Sequence, residues 1–74
     1  MECLPLALLN SGGQGVVKKI CGGESIAKRL YEMGFNTGAQ IEVVKNDVGP
    51  LIVSLSGNKI ALGRGLAQKI MVNN

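Results

Sequence analysis

Histidine is missing from this 74-residue chain, which removes the commonest general base and the commonest metal ligand together. Cys3 and Cys21 stand 18 positions apart, and a tetrahedral zinc site would need two further ligands beside them. The carboxylates Glu2, Glu24, Glu32, Glu42 and Asp47 are scattered, and a hard-cation site would require several of them to converge from different loops. The simpler expectation is that all five are solvated. Cys21 ends a predicted strand and is expected to be a small core thiol, whereas Cys3 is expected to be exposed near the terminus. No catalytic residue, no metal ligand and no cofactor follow from these types and spacings.

Two glycine clusters, Ser11 to Gly15 and Gly63-Arg64-Gly65, invite a phosphate-binding reading. Neither has the spacing or the Lys-Ser/Thr ending of a phosphate loop, and turn geometry accounts for both more simply. Lys and Arg outnumber acids by eight to five, for a net charge of +3. The cations are spread over every predicted element, and Tyr31 and Phe35 are the only aromatic residues. A single-strand binder would add several stacking platforms to a basic groove. A mildly basic, solvated surface is therefore favoured over a nucleic-acid site.

What remains is binding by surface, and the elements decide which surface. From Glu24 to Met33 the apolar residues Ile26, Leu30 and Met33 recur at i, i+4 and i+7, the stripe of an amphipathic helix. Ser25 is the expected N-cap. Gly34 stands where a left-handed residue ends a helix, and Phe35 is placed to fold back on the last turn. Such a helix directs Lys28, Arg29, Tyr31 and Glu32 away from the core. Tyr and Arg are enriched at binding hot spots. Lys28, Arg29, Tyr31, Glu32 and Phe35 are accordingly the candidate partner-binding residues.

Around this helix the sequence predicts short strands. Val16 to Cys21 is the first clear one, alternating only roughly, with Val16 and Ile20 expected on one face. Gln40 to Asn46 and Leu51 to Leu55 follow, the latter alternating cleanly. Gly57-Asn58 is expected to form a type II′ hairpin turn into Lys59 to Leu62. Arg64 to Gln68 predicts one helical turn before a last strand, Lys69 to Val72. Five strands with a helix after the first predict a small, strongly bent antiparallel barrel whose closure hides its edges.

Composition agrees with one small globular domain over residues 1–74. Hydrophobic residues make up 46 % and charged residues 18 %, too apolar for a disordered chain. A chain this short buries only about 60 % of its unfolded surface, so an efficient aliphatic core is needed. The apolar opening, Leu4 to Leu9, lacks the length and basic flank of a signal peptide and is expected to pack across the barrel. No apolar run approaches the roughly 20 residues of a membrane span. A cytoplasmic chain with reduced thiols is the expectation.

Taken in order, four stretches resemble the ferrous iron transport protein A (FeoA) family. They are Leu9 to Gly15, Ile20-Cys21-Gly22-Gly23, Arg29 to Phe35, and Ile60-Ala61-Leu62-Gly63 followed by Leu66 to Val72. Arg29-Leu30-x-x-Met33-Gly34 with Gly38-x-x-Ile41-x-Val43 is the most specific part. The resemblance implies an SH3-like barrel and a cytoplasmic accessory protein of ferrous iron uptake. Its implied partner is the cytosolic part of a FeoB-type membrane transporter with a GTP-binding domain, which it would bind and regulate without hydrolysing nucleotide. Two other readings stay open: a nucleic-acid-binding barrel, and a direct Fe²⁺ sensor using Glu32, Glu42 or Asp47. Weak self-association stays open as well. Against family members, Gly63-Arg64-Gly65 replaces a more charged stretch, and the segment from Asn46 to Pro50 is short.

Overall fold

A computed structural model describes residues 3–73. Six antiparallel strands form one sheet: β1 (Leu4–Pro5), β2 (Gln14–Ile20), β3 (Gln40–Lys45), β4 (Leu51–Leu55), β5 (Asn58–Leu62) and β6 (Ile70–Asn73). A 3-10 turn, Leu6–Leu8, follows β1, while α1 (Glu24–Glu32) joins β2 to β3 and α2 (Arg64–Ala67) joins β5 to β6. The strand order is β1-β6-β2-β3-β4-β5. The expected small barrel is present with one more strand than expected, because Leu4 and Pro5 pair with Val72 and Met71. Among the described residues the ladder ends at β1 and β5, so its edges are not removed by pairing. At one edge β1 has only two residues, and at the other β5 carries Lys59, two features that discourage edge-to-edge association.

The core is entirely aliphatic apart from one ring. Phe35, Leu6, Leu30, Leu51, Leu62 and Ile70 are its largest fully buried side chains, and no polar side chain is buried with them among the described residues. In β4 the residues Leu51, Val53 and Leu55 are buried while Ile52 and Ser54 are half-buried, as strict alternation requires. Ile41 and Val43 of β3 and Ile70 and Val72 of β6 are buried as well.

Three local expectations are corrected. In β2 it is Val17, not Val16, that shares a side with Ile20: Val17 is fully buried and Ile20 packs against the core. An irregularity between Val17 and Lys19 in the pairing with β6 adds a residue there, which lets Val17 and Ile20 serve the same side. The β4–β5 turn is Ser56-Gly57 rather than Gly57-Asn58, because Leu55 pairs directly with Asn58. Both turn residues have positive φ, 53° and 82°, the type I′ pattern whose twist matches the strands. Finally, Cys21 is exposed: it lies just beyond the end of β2, where its N–H donates to the Lys69 carbonyl and its side chain has left the core.

Candidate protein-interaction site

The N-cap of α1 is Gly23, not Ser25. Gly23 is extended and makes no side-chain cap, and its carbonyl accepts the first helical bond from Ala27 N–H at 3.0 Å. Ser25 therefore lies inside the first turn, where Glu24 favours the helix dipole. Leu30 is fully buried and Ile26 packs against the core. Met33, the third residue of the expected apolar stripe, is exposed; the chain leaves helical geometry at the next residue, Gly34, and Phe35 takes the core position instead.

The C-terminal end of α1 is a complete Schellman motif. Phe35 N–H donates to Leu30 O at 3.0 Å and Gly34 N–H to Tyr31 O at 3.0 Å. Gly34 has φ 108°, a conformation open to glycine and costly for other residues. A Cβ at Gly34 would also lie 3.0 Å from Leu55 Cδ2, at the last residue of β4. The chain then turns through residues 36–38 back to β2, where Gly38 N–H donates to Val17 O at 2.8 Å.

This geometry brings Lys28, Arg29, Tyr31 and Glu32 together as exposed residues of one short helix. Tyr31 keeps 40 % of its surface open, enough for its ring to be covered by a partner. Glu24, Lys28 and Glu32 succeed one another at four-residue spacing, so charges of alternating sign run along the helix. Phe35 does not join them. Its side chain is fully buried, so it fastens the corner that carries the other four and touches no partner.

Glu32 closes α1, Glu42 lies in mid-β3 and Asp47 follows β3. No group of three or more His, Cys, Asp or Glu residues comes together among the described residues. Cys3 Sγ lies 3.3 Å from Asn73 Oδ1 at the end of β6, while Cys21 pairs with the residue before its start. A four-residue strand places them about 13 Å apart, beyond disulfide reach.

Sequence reasoning missed a shallow groove of about 960 Å³ across β2, β3 and β4. Gln14, Glu42, Ser54 and Lys59 are successive cross-strand partners from β2 to β5, and the first three line it. These residues are far apart in the chain, and only strand register brings them into one row.

The FeoA domain family model matches residues 4–74. The chain belongs to the FeoA domain family. A protein of Methanocaldococcus jannaschii assigned as Fe(2+) transport protein A is 47 % identical over 70 residues, covering 95 % of this chain and 85 % of its own. Among solved structures, an iron uptake regulatory protein, also a FeoA, superposes with TM-score 0.90 at 37 % identity, covering 99 % of this chain and 97 % of that one. Stenotrophomonas maltophilia FeoA, an SH3 domain protein crystallised with zinc, superposes with TM-score 0.83 at 28 % identity over 95 % of this chain and 89 % of its own. The FeoA domain described above is thus SH3-like.

Proposed function

We propose that this chain is an accessory protein of ferrous iron transport. In this reading it binds and regulates the cytosolic part of a FeoB-type membrane GTPase transporter, acting from the cytoplasm without catalysis of its own. The observation that carries the proposal is the 47 % identity to the archaeal protein assigned to Fe²⁺ transport. Two features support it. Among the described residues no helix is long and apolar enough to cross a membrane, so a transport role calls for a membrane partner. The polar face of α1 also offers Lys28, Arg29, Tyr31 and Glu32 around a rigid, core-anchored corner. The proposed contact is Tyr31 covered at its centre, with the charged residues forming a rim.

The test is a titration of isotopically labelled chain with the transporter's cytosolic domain and with the detergent-solubilised full-length transporter. Saturable amide shifts on α1 are expected. Absence of binding to both at about 100 μM, where contacts of a few kcal/mol still register, would sink the proposal.

A further inference from the structure

At the opposite end of β4 from Gly34 the chain builds a second, unrelated surface. Asn46, just after β3, donates both to Ala7 O at 3.0 Å and to Leu9 O at 2.6 Å from its side-chain amide. Its own N–H donates to Ser11 Oγ at 2.9 Å. Arg64 at the start of α2 donates to the Asp47 carbonyl. The 3-10 turn, the β3–β4 loop and α2 are thereby tied into one platform.

Leu8 sits between the two carbonyls that Asn46 holds. Its neighbours Leu6 and Leu9 are buried, but Leu8 itself is 66 % exposed. Val48, one residue beyond the carbonyl that holds Arg64, is 93 % exposed. Beside Leu8 runs a groove of about 530 Å³ lined by Pro5, Ala7, Leu8, Arg64 and Gln68. Among the described residues, Arg64 is the only charge of that lining. A guanidinium has five N–H donors, so the bond to Asp47 leaves donors for a ligand.

We propose that this end of the barrel is a second docking surface, taking a polypeptide segment that sets an aliphatic side chain against Leu8 and a carboxylate against Arg64. Apolar knobs on a pre-tied platform lose little freedom on binding. The positive charge of the groove, set by Arg64, selects the sign of the ligand. A single lining cation is too few for a bilayer surface, which is held by clusters of basic residues. The docking surface does not depend on the transporter or on α1.

A peptide-phage selection on the full chain, counter-selected against Leu8→Asp, tests it. The enriched sequences are expected to pair a Leu, Ile or Val with an Asp or Glu. Synthetic copies should shift amides of residues 6–9, 46–49 and 64–68, and bind Leu8→Asp and Val48→Asp about tenfold more weakly or worse. Both sites are exposed, so circular dichroism should show intact folds, and Val48→Asp serves if Leu8→Asp alone is perturbed. The Tyr31→Ala variant should bind the peptides unchanged. No enrichment, or peptides that bind Leu8→Asp as well as the unaltered chain, would overturn the proposal. So would concentration-dependent dimerisation that Leu8→Asp abolishes, which would make a second copy the occupant. Flotation with anionic vesicles that Leu8→Asp prevents would likewise overturn it in favour of a lipid surface.

Discussion

Two residues carry more of the structure than their size suggests. Gly34 combines a φ of 108° with a position where an added Cβ would stand only 3.0 Å from Leu55. Gly34→Ala is expected to destabilise the fold by about 1–3 kcal/mol, read as a lower urea midpoint at constant slope. Asn46 satisfies two carbonyls flanking Leu8. Asn46→Ala leaves both without that donor and should cost about 1–3 kcal/mol in the same assay. Asn46→Asp should do no better, because a carboxylate cannot donate.

The helix α1 separates binding from stability within one element. Tyr31 and Lys28 are exposed, so Tyr31→Ala with Lys28→Ala should change unfolding free energy by about 1 kcal/mol or less for each substitution. The same pair should weaken binding to the transporter's cytosolic domain by about tenfold or more, measured by calorimetry. Phe35→Ala reverses the pattern. It empties the largest core position and should cost about 3–5 kcal/mol, much of the stability of a small domain, visible as loss of the cooperative thermal transition. Equal loss of binding and stability in the Tyr31–Lys28 pair would remove α1 as a docking face.

Across the whole molecule, the α1 corner and the Asn46 platform stand at opposite ends of β4, joined by an aliphatic core. Among the described residues they share no hydrogen-bond partner, so Gly34→Ala and Asn46→Ala should add within about 0.5 kcal/mol. A double variant that departs from the sum by more than about 1 kcal/mol would mean that strain at one end reaches the other through the core. Independent ends are what the two proposed docking surfaces require, since each would then bind without disturbing the other.

Much of this architecture was legible in the chain itself. Alternation in Leu51 to Leu55, helical spacing of Ile26 and Leu30, and Gly34 followed by Phe35 each report a local preference, and local preferences survive folding when burial agrees with them. Of the surface residues, Lys28, Arg29, Tyr31 and Glu32 follow from helix geometry alone. What spacing could not supply depends on contacts between distant segments. The irregularity that turns Val17 inward exists only in the pairing with β6, and the choice of Phe35 over Met33 is settled by where the helix ends against the core. The same holds for chemistry. From the lack of histidine and the scatter of acids came the expectation of a protein that works by contact. Only the tertiary structure brought Leu8, Asn46, Val48 and Arg64 to one end, because hydrogen bonds across 17 to 39 positions of sequence hold them there.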